Sequence, residues 1–227
     1  MEYRHELKFL VTDVQMNIIA FKLAPFLKKD CNQNGDHYVI RSLYFDNVNH
    51  QYWLENLNGV DNRSKYRIRI YNNSTELIKL EKKSKISGMT QKQSVTLSLE
   101  ESKQLIEGRI PIRNCTNDEK KIRLYSEMKV NGLIPVVIVE YERSAYVNRV
   151  GNVRITFDRN IKSSPDISRF WGEDAKTIPV LPTGYHVLEI KYDEFLPRYI
   201  YDLLDDGTLQ QTSFSKYGYA RSVLEER

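Results

Sequence analysis

Apolar and polar residues alternate along much of this chain with the two-residue period of a β-strand. About eight segments combine this alternation with β-branched or aromatic residues, and we predict each of them to be a strand. The predicted strands cover residues 3–11, 38–46, 64–71, 77–85, 92–99, 136–147, 153–158 and 185–192. Turn-forming residues such as Asn72-Asn73-Ser74 separate neighbouring segments and indicate hairpins.

Helical periodicity is found in fewer places. Thr12 can cap a helix that reaches about Leu27. Ser98 and Glu101 have the spacing of a capping box, and Gly108 would end the helix that follows. Residues 118–130 and 212–226 are two further predicted helices, and residues 162–182 are predicted to form a loop with short helical pieces.

Many strands with a few helices between them predict an α+β fold whose sheet is mostly antiparallel. From the strand count we expect the sheet to close into an eight-stranded β-barrel with the helices packed outside. The sequence contains no internal repeat, low-complexity tract or linker, so we predict a single domain over residues 1–227.

Composition excludes several classes of protein. Hydrophobic residues make up 41% and charged residues 28%, which is typical of globular proteins. The longest apolar run, residues 134–139, is far shorter than the ~20 residues that span a bilayer. The start of the chain lacks the apolar stretch of a signal peptide, and Cys31 and Cys115 lack the spacing of a metal site, so we expect a cytoplasmic protein.

The net charge of +4 is too small to indicate nucleic-acid binding, because the basic residues are interleaved with acidic ones. Their placement is more informative. Residues i and i+2 of a strand share a face, so charged side chains collect on one face of several predicted strands. The pairs and triplets are Arg67 with Arg69, Glu81 with Lys83 and Lys85, Tyr141 with Arg143, Arg154 with Thr156 and Asp158, and Glu189 with Lys191.

Two interpretations of these charged faces are open. They are either the solvated outer surface of a half-exposed sheet or the lining of an interior lumen. The apolar stripes of the helices need strand faces to pack on, and this favours turning the charged faces inward. Crowded Lys and Arg side chains would then need an anion, and phosphate oxygens are among their strongest partners.

Acidic residues on the same faces point to a divalent metal, since Mg²⁺ and Mn²⁺ prefer oxygen ligands and often take one or two carboxylates beside substrate phosphates. Glu189 is the best single ligand candidate, and Glu6 and Glu81 are further carboxylates that can serve. The alternative for Glu189 is an ion pair with a neighbouring cation.

Several short motifs, taken in order, resemble the catalytic domain of the vacuolar transporter chaperone (VTC) family. That family is a branch of the triphosphate tunnel metalloenzymes and is related to the CYTH group. The resemblance covers residues 2–221. Its motifs are Glu6-Leu7-Lys8, Ser42-Leu43-Tyr44-Phe45-Asp46, Lys65-Tyr66-Arg67-Ile68-Arg69, Leu80-Glu81-Lys82-Lys83, Tyr141-Glu142-Arg143, Val153-Arg154-Ile155-Thr156-Phe157-Asp158, Leu188-Glu189-Ile190-Lys191 and Phe214-Ser215-Lys216-Tyr217.

The resemblance implies a tunnel that makes polyphosphate from ATP with the help of Mn²⁺ or Mg²⁺. Arg4 stands where CYTH relatives have the first residue of an ExExK pattern, which favours the VTC branch and speaks against a two-carboxylate metal site at the N-terminus. The residues that the resemblance places around the transferring phosphoryl group are Arg67, Arg69, Arg143 and Lys216. Those that would bind the rest of the substrate are Lys8, Lys83, Lys85, Lys92, Tyr141, Arg154 and Ser215.

Two other functions stay open at this point. The same cage of cations can support hydrolysis of inorganic triphosphate or a nucleoside triphosphate, with Glu6 or Glu81 orienting the attacking water. A third possibility is a module that binds polyphosphate without turnover. The expected partners are ATP and polyphosphate or triphosphate, with no nucleic acid and no membrane span, and nothing identifies a membrane-protein partner.

Overall fold

The computed structural model describes residues 4–33, 35–87, 89–112, 118–172, 176–205 and 207–225, so that Cys115 lies outside the described residues. The helices in this part of the chain are α1 (Asp13–Leu23), α2 (Gln51–Leu57), α3 (Leu99–Ile106), α4 (Glu119–Val130), α5 (Arg198–Leu204) and α6 (Lys216–Glu225). The strands are β1 (His5–Thr12), β2 (Lys28–Lys29), β3 (Tyr38–Asp46), β4 (Arg63–Tyr71), β5 (Ser74–Ile86), β6 (Met89–Leu97), β7 (Ile134–Asn148), β8 (Val153–Ser164), β9 (Ile178–Pro179), β10 (Tyr185–Tyr192) and β11 (Gln210–Gln211).

The strands form one antiparallel sheet in the order β11-β1-β10-β8-β7-β3-β4-β5-β6, with β2 added beside β7 and β9 beside β8. The α+β class is therefore confirmed. Each of the eight predicted segments is a strand, and the three additional strands, β2, β9 and β11, have only two residues each. Such short strands carry too few residues for a periodic pattern to be visible in the sequence.

The prediction of a closed eight-stranded barrel is not confirmed. The described ranges contain eleven strands, nine of them along an open path with β2 and β9 beside it, and no backbone ladder joins β6 to β1 there. Strands near the two ends of the curled sheet meet through side chains instead, since Lys83 Nζ on β5 lies 2.7 Å from Glu6 Oε2 on β1. A strand count does not determine closure, because strand twist can bring two edges together without hydrogen bonds between their backbones.

The helices cover the apolar faces of the strands. Leu188 and Ile190 of β10 belong to a buried cluster that includes Ile19 and Leu23 of α1. A second buried cluster, which contains Ile68 and the α3 and α4 side chains Leu105 and Leu124, covers β4 and its neighbours. Because these apolar residues point toward the helices, the alternate charged residues point to the concave side of the sheet. The charged strand faces therefore line the interior of the fold and do not form its outer surface.

Helix ends follow local sequence signals where these are strong. Thr12 caps α1 in a capping box with Gln15, and Ser98 caps α3 with Glu101 as predicted. The structure differs from the predictions in length, since α1 ends at Leu23 and not at about Leu27. Helices α2 and α5 were not predicted. Each has only seven residues, and neither has a side-chain cap.

Asp46, at the end of β3, fixes α2 and α6 to the sheet. Its side chain is fully buried, and one carboxylate oxygen accepts hydrogen bonds from the backbone N–H groups of Asn47 (2.8 Å) and Tyr52 (3.0 Å). The other oxygen accepts from the backbone N–H of Trp53 (3.0 Å) and from the Tyr217 hydroxyl. This one carboxylate therefore positions the start of α6 and the residues just before it.

We expect Asp46→Ala to lower the free energy of unfolding by about 3 kcal/mol, because buried amide and hydroxyl donors lose their acceptor. Asp36→Ala is the control, since Asp36 is exposed, and we expect a change within about 0.5 kcal/mol there. Denaturant unfolding measures both values. Equal stabilities of the two variants would show that Asp46 does not anchor the helices.

No helix in the described ranges is both long enough and apolar enough to cross a membrane.

Candidate functional site

A cavity of about 650 Å³ lies against the concave face of the sheet, and we name it the tunnel cavity. Among the residues that the structure describes, its lining includes twelve basic side chains and three carboxylates, Glu6, Glu76 and Glu189. Such an excess of positive charge favours an anionic ligand. The basic residues are Arg4, Lys8, Lys65, Arg67, Arg69, Lys79, Lys83, Lys92, Arg143, Arg154, Lys191 and Lys216.

A second cavity of about 700 Å³ adjoins the first, and we name it the vestibule. Its own lining includes His5, Arg63, Lys85 and Met89, together with residues 211–214. The residues that line both cavities form the seam between them. They are Arg4, Glu6, Lys8, Lys65, Lys83, Thr90 and Ser215.

The residues predicted from the sequence converge on these two cavities. Lys85 lines the vestibule only, and Glu81 does not line the tunnel cavity because it is buried behind Arg67. The other predicted residues line the tunnel cavity. They are Glu6, Lys8, Arg67, Arg69, Lys83, Lys92, Tyr141, Arg143, Arg154, Glu189, Ser215 and Lys216.

Asp158 organises one cluster of cations. Its carboxylate forms two hydrogen bonds with Arg143, of 2.6 and 2.7 Å, and lies 2.5 Å from Lys216 Nζ. Burial alone would raise the pKa of Asp158, but Arg143 and Lys216 outweigh this and hold the pKa below its usual value. The Lys216 ammonium also lies 4.7 Å from the centre of the Tyr141 ring. Arg143 and Lys216 are therefore held side by side at the cavity wall.

Glu81 organises a second cluster on the opposite part of the sheet. Its Oε2 lies 2.6 Å from Arg67 and 3.7 Å from Arg69, and its Oε1 lies 2.5 Å from Lys92. Burial would raise the pKa of Glu81, but Arg67 and Arg69 lower it well below the usual range. Arg69 also donates a hydrogen bond of 3.2 Å to the Tyr141 hydroxyl, which connects the two clusters.

Glu6 on β1 and Glu189 on β10 are diagonal neighbours on paired strands, since Glu6 lies opposite Lys191 and Glu189 lies opposite Lys8. Burial and the charge of Glu189 both raise the pKa of Glu6, but Lys83 and Lys8 lower it to about 2. Burial likewise raises the pKa of Glu189, and Lys191 at 2.5 Å and Lys8 outweigh it and keep that carboxylate charged. The pKa of Lys83 is set differently. Burial and the cations Lys8 and Lys191 lower it to about 8, and Glu6, which raises it, does not compensate.

The carboxylates differ in their fitness for a divalent metal. The described residues contain no group of three or more His, Cys, Asp or Glu that could hold a metal ion, so a metal at one or two carboxylates here would take its other oxygen ligands from substrate or water. Glu189 and Glu6 line the cavity and lie near each other, which fits a site with two carboxylates. Both oxygens of Glu81 are engaged by cations, and a metal there would have to displace them. The metal-ligand assignments stay predictions.

Sequence reasoning assigned no site role to several cations that the fold brings into the tunnel cavity. Lys65 shares a strand face with Arg67, and Lys191 shares one with Glu189, so the same alternation contained the signal for both. Lys79 lies on the same face of β5 as Glu81 and was also omitted.

A model of the VTC domain family matches residues 3–225 of the chain. Among solved structures, the candidate adenylyl cyclase HpAC1 from Hippeastrum, described as revealing a dominant triphosphatase activity, has a TM-score of 0.60 at 16% sequence identity. The match covers 98% of this chain and 96% of HpAC1. A candidate adenylate cyclase from Bacillus halodurans has a TM-score of 0.55 at 15% sequence identity. That match covers 95% of this chain and 94% of the cyclase. At these identities the likeness shows a shared fold. No curated protein matches the chain.

Asp158 gives a direct test of the charge balance at this site. We expect Asp158→Asn to lower the free energy of unfolding by about 3 kcal/mol at neutral pH, because Arg143 and Lys216 lose their buried counter-charge. The folded-state pKa of Asp158 lies below its ordinary value of 3.8, so its contribution is complete above that pH and is lost as the pH falls further. The variant should therefore show a weaker loss of stability with acid than the wild type.

Denaturant unfolding at a series of pH values measures this difference. Asp202→Asn on α5 is the matched control, because its partner Arg198 is largely exposed. If Asp158→Asn matched this control in stability and in pH profile, the balance inferred for Arg143 and Lys216 would be wrong.

Proposed function

This chain belongs to the VTC domain family, as the sequence predicted, and from that premise we propose that it is a metal-dependent polyphosphate polymerase. The reaction is transfer of the γ-phosphoryl group of ATP to a growing polyphosphate chain in the tunnel cavity. The observation that carries the proposal is the tunnel cavity, whose described lining contains twelve cations and three carboxylates. A phosphate chain supplies negative charge at every unit and can balance such a surface along its length.

Phosphoryl transfer needs alignment of the reacting groups and neutralisation of the charge on the transferred oxygens. A terminal oxygen of the polyphosphate chain attacks the γ-phosphorus of ATP, the bond to the bridging oxygen breaks, and ADP leaves. In this proposal Arg67, Arg69, Arg143 and Lys216 hold the transferring group. The ion pairs of Arg67 with Glu81 and of Arg143 with Asp158 orient these two guanidinium groups before substrate arrives, which lowers the reorganisation needed during the reaction.

The remaining cations have separate roles. Lys8, Lys83, Lys92 and Arg154 bind the phosphates that do not react, and Lys85 extends this path into the vestibule. Tyr141 and Ser215 contribute hydroxyl contacts. Mn²⁺ or Mg²⁺, held by Glu189 with Glu6, would neutralise charge on the nucleotide phosphates when bound.

A triphosphatase is the second candidate function, favoured by the similar fold of HpAC1 and its described triphosphatase activity. In that case Glu6, which lines both cavities, would orient the attacking water. Binding of polyphosphate without turnover is the third candidate.

Purified protein incubated with ATP and Mn²⁺ should release ADP and accumulate an acid-labile phosphate polymer. Formation of orthophosphate from tripolyphosphate without chain growth would instead support the triphosphatase. Salt-sensitive binding of polyphosphate with neither product would support the binding module.

Arg67→Lys should lower kcat for polymer synthesis by roughly 100-fold, a loss similar to that of one transition-state hydrogen-bond donor. The substitution keeps the charge that balances Glu81 but removes the planar fork of the guanidinium group. Arg123→Lys on α4 is the matched control because that side chain is exposed, and its kcat should match the wild type. An unchanged kcat in Arg67→Lys would show that Arg67 does not bind the transferring phosphoryl group.

Glu189→Gln tests the metal. We expect the Mn²⁺ concentration for half-maximal activity to rise about tenfold or more, since one charged oxygen ligand is lost. Binding of polyphosphate measured in the presence of EDTA should not weaken, because the substitution removes a negative charge from the cavity. A metal requirement equal to that of the wild type would show that Glu189 is not a ligand.

A further inference from the structure

The seam between the tunnel cavity and the vestibule has its own set of cations. Arg4, Lys8, Lys65 and Lys83 are the basic residues that line both cavities. A phosphate chain that continues from one cavity into the other must therefore pass these four side chains.

Three of the four seam cations are balanced by carboxylates of the protein. Arg4 Nε lies 2.8 Å from Asp193, and Lys8 and Lys83 share the carboxylate of Glu6 at 2.9 and 2.7 Å. Lys65 differs, because its Nζ donates a hydrogen bond of 2.7 Å to the Ser215 hydroxyl oxygen and forms no ion pair within the described ranges.

The surroundings of Lys65 make this missing counter-charge significant. Burial, followed by the cations Lys8, Lys83, Arg63 and Arg67, lowers the pKa of Lys65 well below its usual range. The carboxylates nearest to those cations are already engaged, since Glu6 binds Lys8 and Lys83 and Glu81 binds Arg67. The charged form of Lys65 would therefore be stabilised by an anion that comes from outside the protein.

Two other cavity lysines, Lys79 and Lys85, also form no ion pair in the described part of the chain. Each of them lines one cavity only: Lys79 the tunnel cavity and Lys85 the vestibule. Lys65 is thus distinguished by two observations together, its position at the seam and its lack of a carboxylate partner.

Ser215 adds a second donor at the same place. Its hydroxyl oxygen accepts hydrogen bonds from Lys65 Nζ and from the backbone N–H of Gly218, at 2.7 and 3.1 Å. With the oxygen occupied by two donors, the hydroxyl proton is available to an acceptor in the cavity. A phosphate oxygen is such an acceptor.

We propose that Lys65, assisted by Ser215, binds the phosphate unit at which a polyphosphate chain crosses from the tunnel cavity into the vestibule. The charge of the polyphosphate chain takes the place of a carboxylate that the described residues do not provide. This inference rests on the proposed function, because it requires a ligand longer than the tunnel cavity. It makes Lys65 a residue that sets the preference for long chains over triphosphate.

The test compares two probes, tripolyphosphate and polyphosphate of several tens of units, by calorimetric titration without nucleotide. For Lys65→Met we expect an affinity loss of about tenfold or more for the long chain, since a charge-assisted contact is removed. The loss for tripolyphosphate should be at most about threefold, because it can bind in the tunnel cavity alone. Lys65→Arg should recover most of the long-chain affinity.

Lys129→Met on α4 is the matched control, since Lys129 is exposed, and it should bind both probes as the wild type does. Thermal unfolding of each variant without ligand verifies the fold. Equal losses for both probes, or no loss for either, would overturn the role of Lys65 while leaving the proposed function intact. Failure of the wild type to bind either probe would instead overturn the proposed function.

Discussion

The architecture of this protein depends on balancing positive charges that have been turned inward. Cations on the concave face of a curled sheet repel one another, and the sheet opposes this with a few carboxylates placed among them. Glu81 serves Arg67, Arg69 and Lys92, Asp158 serves Arg143 and Lys216, and Glu6 serves Lys8 and Lys83. Each carboxylate binds two or more cations, so the protein neutralises only part of the charge. The remainder is available to an anionic ligand.

The inward charge is possible because the outer face of the sheet is apolar and covered. Helices α1, α3 and α4 pack on alternate strand residues such as Leu188 and Ile68, and this burial stabilises the sheet in the curled form. Strands β1 and β5, each next to one edge strand of the sheet, then meet through the Glu6–Lys83 ion pair. That pair lies at the seam between the two cavities, so the contact that draws the ends together also helps to set the shape of the path.

The C-terminal segment completes the site from outside the sheet. Tyr217 stacks on Tyr44 at 5.0 Å between ring centres and donates a hydrogen bond to Asp46. These contacts hold the preceding residues Ser215 and Lys216 over the concave face, where they reach Lys65 and Asp158. Residues that are distant in sequence thus become neighbours in one cavity, and the proposed polymerase reaction relies on this arrangement.

The sequence alone determined the eight long strands, the capping of α1 and α3, and the sharing of a face by residues such as Arg67 and Arg69, because these features depend on local periodicity. It also carried the motifs that place the chain in its family. The tertiary structure decided features that local sequence patterns cannot determine. These are the open sheet with side-chain contacts between strands near its two ends, the two-residue strands, and helices α2 and α5. It also decided the partner of each charge: Glu81, a possible metal ligand in the sequence, is engaged by three cations, and Lys65 forms no ion pair within the described residues. Periodicity gives the direction of a side chain, but the distance between two charges on different strands depends on sheet order and curvature.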